Sequence, residues 1–220
     1  MDTSDLYRDV TGLAQSSPAW VRAAFEVWTV YGLWLFGVLF AVVWWRARRR
    51  DADRPVALAL LAPAATALAH VVSTGVKYAV SEERPCRGVA GAAAPLVACP
   101  PPGDWSFPSN HSALAGAAAV ALVAAAPRLA PGVVPAALLM AFSRVFAGVH
   151  YPHDVALGLL LGGSVAALAV IVAARPATAA VRAARAARAG GIRPALRLTG
   201  PGAPGAASGA ARNVPGCRLP

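Results

Sequence analysis

The chain is short of charge, and of acid most of all. Charged residues are 14% of its 220 and apolar ones 57%, a balance that excludes an ordinary soluble domain, while the length excludes a single anchor. Lysine is all but missing: Lys77 stands alone, and the other basic residues are arginine. Ten acidic residues face twenty basic ones, and the last 46 residues hold eight arginines and no acid. The formal charge of +10 would suit nucleic acid, but no aromatic-rich soluble module accompanies it. The expected partners are anionic membrane lipids and no nucleic acid. A cleavable signal is not expected either, because the N-terminus opens on Asp2, Asp5 and Asp9 rather than a basic run.

What the chain has is long apolar runs. A spanning helix needs about 20 mainly apolar residues. Val27–Trp45, Pro55–Val76, Val133–Val149 and Val155–Ala174 supply them, and Ser112–Ala126 does so when the residues before it are included. These runs are apolar all round, without the polar stripe of a soluble bundle. The fold class expected is an all-α polytopic membrane helix bundle of about five transmembrane spans. Residues 1–26 read as an N-terminal interfacial segment with a short helix over 4–16, and 27–174 as the membrane-embedded domain. The tail, 175–220, is rich in Arg, Ala, Pro and Gly, with a surface helix over Ala177–Gly190 and little fixed structure beyond. Arg46, Arg48, Arg49, Arg50 and Arg54, then Arg128, then the tail arginines fall on one side of a five-span chain. The positive-inside rule makes that side cytoplasmic and puts the 81–107 loop and the 149–155 connection outside.

Polar groups at the ends of these runs carry the chemistry, since a charge at a helix centre costs about 2.5–3.5 kcal/mol. Lys77 closes the second span, and Arg84 follows. Ser109, Asn110 and His111 open the third span. Ser143 and Arg144 lie late in the fourth, and His150 and Asp154 bracket the start of the fifth. Five spans bring all of them to the outer face. Lys77, Arg84 and Arg144 offer three cations to a phosphate. The loop entering a helix at Pro108–His111 aims backbone N–H groups at an anion. Asp154, four residues after His150, shares a helical face with it and can hold one imidazole tautomer.

Lys77-x6-Arg84-Pro85, Pro108-Ser109-Asn110-His111 and Ser143-Arg144-x5-His150-x3-Asp154 together resemble the three-part signature of the type 2 phosphatidic acid phosphatase superfamily. That family takes in lipid phosphate phosphatases, bacterial undecaprenyl diphosphate phosphatases and the more distant vanadium haloperoxidases. The resemblance covers roughly residues 55–174. It implies a metal-independent lipid phosphatase without cofactor. His150 would attack phosphorus and form a phosphohistidine, Asp154 would orient it, and His111 would protonate the leaving oxygen and then activate water. Lys77, Arg84, Ser109 and Arg144 would hold the phosphoryl oxygens, with the backbone at Asn110. Asn110 departs from the family's usual Gly; Asn tolerates a left-handed backbone and caps helices well. Ala147–Pro152 and an outward site are most similar to polyprenyl diphosphate phosphatases. Phosphatidic acid and phosphatidylglycerophosphate fit the same residues, and a catalytically silent lipid-binding member of the fold is the non-enzymatic alternative.

Other residues have plainer readings. The H-x-x-H-D run from His150 to Asp154 has the look of a metal site, but three nearby cations oppose a divalent ion. His153 reads as a rim residue, His70 as half of a helix–helix hydrogen bond, and Glu82 and Glu83 as a solvated pair. Cys86 and Cys99 share the outer loop, where a disulfide between them is compatible with an oxidising compartment; Cys217, in the tail, is expected to be free. Trp105 and Phe107 suit either lipid contact or loop packing.

Overall fold

A computed structural model describes residues 3–197, the stretch 189–197 as helical backbone only. The chain divides into two compact units, Met1–Ala183 and Ala184–Pro220, and all the residues singled out above except those of the tail lie in the first. The described residues are all-helical, with no strand among them.

Helix α1, Ser4–Ser16, buries Tyr7, Thr11 and Ala14. It stops at Ser17, which precedes Pro18 and is extended. Helices α2, Ala19–Tyr31, and α3, Leu33–Arg48, replace the straight first span expected over Val27–Trp45: they meet at Gly32 with a 51° bend. The junction is closely packed. A Cβ on Gly32 would lie 2.6 Å from both Met140 Cε and the Trp28 carbonyl oxygen, so a side chain there would push Met140 out of the bend.

Helix α4, Asp53–Val80, has 28 residues and so rises about 42 Å. It closes on Ser81, whose left-handed backbone (φ 54°) lets its N–H reach the Lys77 carbonyl at 3.0 Å. The loop that follows holds the four-residue α5, Pro85–Gly88, and a Cys86–Cys99 disulfide with its Cα atoms 6.1 Å apart. Helix α6, Asn110–Ala125, and α7, Ala130–Phe146, are joined by a 3-10 turn over Pro127–Leu129. Helix α8, Pro152–Arg197, does not end at Ala174 but continues through Arg175 and Pro176. The expected lack of fixed structure beyond residue 197, and the free Cys217, lie outside the described residues.

Three helical stretches are long and apolar enough to cross a membrane, Asp53–Gly88, Pro127–Phe146 and Pro152–Arg188, and the bent α2–α3 pair counts as a fourth when taken as one broken span. The fifth expected span, α6, has 16 residues, about 24 Å. It packs against α3, α4 and α7, and Ala113, Ala115, Ala117, Ala118 and Leu122 are buried, so neighbouring helices rather than lipid surround it. Small residues make that possible: a Cβ on Gly116 would sit 2.5 Å from the Leu159 carbonyl oxygen of α8. The outer faces are apolar too. Trp34, Leu160, Leu168, Ile171 and Val172 are each at least 64% exposed, a surface that suits hydrocarbon and not water.

Candidate active site

Four helix ends meet at one end of the bundle. Lys77 is in the last turn of α4, His111 in the first of α6, Arg144 in the last of α7, and Asp154 in the first of α8. Two loops add Arg84 and His150. Lys77, Arg84, Arg144, His150 and Asp154 are all buried. Gly148, at φ 80°, shapes the second loop; a Cβ there would lie 2.9 Å from Pro95 Cα.

The partners of His150 fix its tautomer by chemistry alone. Its Nδ1 is 3.3 Å from Asp154 Oδ2, and a carboxylate only accepts. Its Nε2 is 3.2 Å from Arg84 Nη1, and a guanidinium only donates. The proton therefore sits on Nδ1, and Nε2 presents its lone pair. Burial first, and then the charges of Arg144, Arg84 and Lys77, hold the imidazole well below its ordinary pKa, so the ring is neutral at neutral pH. A neutral imidazole with an oriented lone pair beside three cations is a nucleophile facing an anion site.

Carbonyl, hydroxyl and carboxylate oxygens hold the three cations in place. Arg84 donates from Nε to the Asp104 carbonyl (2.7 Å), from Nη2 to Asp104 Oδ1 (2.9 Å) and from Nη1 to the Val149 carbonyl (2.9 Å). Lys77 donates to the Trp105 carbonyl and lies 3.8 Å from Asp104 Oδ1. Arg144 Nη1 donates to Thr29 Oγ1 at 2.8 Å, while its buried Nε has no hydrogen-bond partner. Burial alone would raise the pKa of Asp104, but the hydrogen bond and charge of Arg84, with Lys77, outweigh it and hold the carboxyl low. Asp104 is thus an internal anion resting on two of the three cations.

The start of α6 corrects one expectation. Ser109, not Asn110, is the N-cap, its Oγ accepting from the Ser112 N–H at 3.4 Å, and Asn110 is helical rather than left-handed. Asn110 instead ties α6 to α4: its Oδ1 accepts from Ser73 Oγ at 2.7 Å and its Nδ2 donates to Thr74 Oγ1 at 3.4 Å. His111 makes no hydrogen bond among the described residues, which leaves its ring available to a ligand.

Several groups were not legible in the sequence. Ser106, fully buried, donates to Asp154 Oδ2 at 2.5 Å and lies 3.4 Å from His150 Nδ1. Tyr151 N–H supplies a second donor to the same oxygen at 2.8 Å. Tyr7 reaches from α1 to the Gly148 carbonyl at 2.9 Å, so α1 braces the loop that carries His150; burial raises the Tyr7 phenol to about 12. Only Asp104 had a signal, as the single acid between Arg84 and Asp154. His70 is exposed, without a hydrogen-bond partner among the described residues, because its neighbour Ala69 takes the buried face of α4.

Among the described residues, one group is dense enough in ligand atoms for a metal: Glu82, His153 and Asp154, within 4.8 Å of one another. His153 Nε2 is 3.1 Å from Glu82 Oε1 and 3.3 Å from Asp154 Oδ1, and Nδ1 is 2.8 Å from Thr3 Oγ1. An N–H on Nε2 can donate to Glu82, so Glu82 is not simply solvated, while Asp154 Oδ1 lies beside that nitrogen without a hydrogen bond.

The family model described as PAP2 superfamily matches residues 58–176. The chain is 35% identical over 136 residues to a decaprenylphosphoryl-5-phosphoribose phosphatase of Mycobacterium tuberculosis, a match covering 61% of this chain and 68% of that protein. It is 34% identical over 105 residues to an undecaprenyl-diphosphatase of Sulfolobus acidocaldarius, covering 47% and 49%. The crystal structure of Aquifex aeolicus LpxE superposes with a TM-score of 0.59 at 23% identity, covering 76% of this chain and 93% of that one.

Proposed function

Because the chain belongs to the PAP2 superfamily of membrane lipid phosphatases, we propose that it hydrolyses a polyprenyl diphosphate to the monophosphate through a phosphohistidine on His150. The observation that carries this reading is the His150 ring between Asp154 and Arg84, with Nε2 as the unprotonated nitrogen turned toward the Arg84 guanidinium. In the first step Nε2 attacks the terminal phosphorus, the bond to the bridging oxygen breaks, and His111, protonated once the substrate's negative charge offsets the three cations, gives that oxygen a proton. In the second, His111 takes a proton from water, the water oxygen attacks phosphorus, and the P–N bond breaks to free inorganic phosphate and restore His150. Lys77, Arg84, Arg144, Ser109 and the N–H groups opening α6 hold the equatorial oxygens as negative charge moves among them. The phosphoryl group displaces Asp104 from Arg84.

Two relatives named for polyprenyl-linked substrates support that substrate class. The arginines of the α3–α4 connection and of the 3-10 turn lie at the other end of the helices from His150, which by the positive-inside rule supports an extracytoplasmic site. The test is phosphate release by the solubilised chain from polyprenyl diphosphate, phosphatidic acid and phosphatidylglycerophosphate, with and without chelator. Preference for the polyprenyl substrate and indifference to chelator are expected. Preference for a glycerolipid would overturn the substrate class, and no release from any of them would favour the silent lipid-binding alternative.

A further inference from the structure

At the far end of the helices from His150, the close of α3, the start of α4 and the connection from α6 to α7 enclose a cavity of about 350 Å³. From Pro55 on its wall to Lys77 at the site, α4 rises about 33 Å, close to the ~30 Å of a bilayer's hydrocarbon core. The cavity therefore opens at the opposite membrane boundary. Arg46, Arg50 and Arg128 form its polar wall, and Leu39, Val43 and Leu129 part of its apolar one. None of these serves the phosphatase chemistry.

Asp51 and Asp53 are the acids of the α3–α4 connection. Helices α3 and α6 bring C-terminal ends to this place and α4 and α7 bring N-terminal ends, so their dipoles oppose one another. In the same segment, Arg48 lies over the Trp44 ring at 4.9 Å and Arg49 over Trp45 at 3.7 Å. Arg182 pairs with Asp53 at 3.2 Å. Among the described residues, neither Arg46 nor Arg128 meets a carboxylate. Guanidinium groups from separate elements, at a membrane boundary and above an apolar wall, match a phosphodiester over an acyl chain: the planar forks suit the phosphate oxygens, and the aliphatic side chains suit the lipid tail.

We propose that this cavity binds an anionic phospholipid from the leaflet opposite the catalytic site, with its phosphate among Arg46, Arg50 and Arg128. The experiment uses the full chain, delipidated in detergent and titrated with phosphatidylglycerol or phosphatidylcholine, with bound lipid read by native mass spectrometry and the melting temperature followed in parallel. Phosphatidylglycerol is expected to bind and raise the wild-type melting temperature, and phosphatidylcholine not to; equal behaviour of the two lipids overturns the proposal. Arg46→Gln/Arg128→Gln should weaken phosphatidylglycerol binding about tenfold or more. Arg48→Gln/Arg49→Gln removes the same charge from the indole-stacked positions and should weaken it no more than about twofold. Equal losses in the two pairs would reduce the effect to general surface potential and overturn the site. Displacement of the bound lipid by excess inorganic phosphate would make it a free-anion site, and overturn it equally.

Discussion

Ser106→Ala removes one oxygen from a fully buried position, and its consequence can be worked from the contacts of Asp154. Oδ2 of that carboxylate accepts from the Ser106 hydroxyl at 2.5 Å and from the Tyr151 N–H at 2.8 Å while facing His150 Nδ1 at 3.3 Å. Oδ1 is buried without a hydrogen-bond partner, so Ser106 is one of two neutral donors that set the carboxylate's position. A hydrogen bond to a charged group contributes about 1.5–3 kcal/mol. If the histidine needs that position only when its ring becomes cationic on bonding to phosphorus, the loss falls on the transition state, and kcat drops roughly 10- to 150-fold. Ser106 touches none of the three cations, so KM should change little. The assay is initial-rate phosphate release in detergent, with melting temperature as a check on folding. A folded Ser106→Ala enzyme with wild-type kcat would refute the reasoning, as would a loss confined to KM.

Asp104→Asn takes a competing anion off Arg84 and Lys77 and should tighten inhibition by inorganic phosphate several-fold, since about 1 kcal/mol is fivefold; unchanged or weaker inhibition would show that Asp104 does not overlap the phosphate. Gly158→Ala would put a Cβ 2.7 Å from the Ser109 carbonyl oxygen, displacing the start of α6; overpacking costs about 1–3 kcal/mol, so both melting temperature and kcat should fall. The pH dependence of stability has a definite sign. His150 stays neutral in the folded chain because its pKa is held low, whereas the unfolded ring takes a proton near pH 6.5. Stability should therefore be full above about 6.5 and decline as pH falls below it, with a shallower decline in a His150→Gln variant. An identical slope in that variant would contradict the buried, neutral assignment.

Much of the site was readable because membrane segments tolerate so few polar groups. Lys77, Arg84, His111, Arg144, His150 and Asp154 stand out against an apolar background, and the structure brings them to one end of the bundle, four on helix ends and Arg84 and His150 on the loops beside them. The residues that went unseen hold others rather than a ligand. Ser106, Thr29 and Tyr7 are common residue types whose value depends on neighbours far away in sequence: Tyr7 meets Gly148, and Thr29 meets Arg144. The bend at Gly32 was hidden for the same reason. Hydropathy runs unbroken from Val27 to Trp45, and the Met140 side chain that Gly32 leaves room for comes from another helix.

The most direct test is to quench the enzyme within one turnover of a substrate carrying a radiolabelled terminal phosphate and to map the bound label by peptide sequencing. An acid-labile, alkali-stable phosphate is expected on His150, absent in His150→Gln and persisting longer in His111→Gln, where water is no longer activated. Label on another residue, or full turnover with no labelled protein at any quench time, would rule out His150 as the nucleophile.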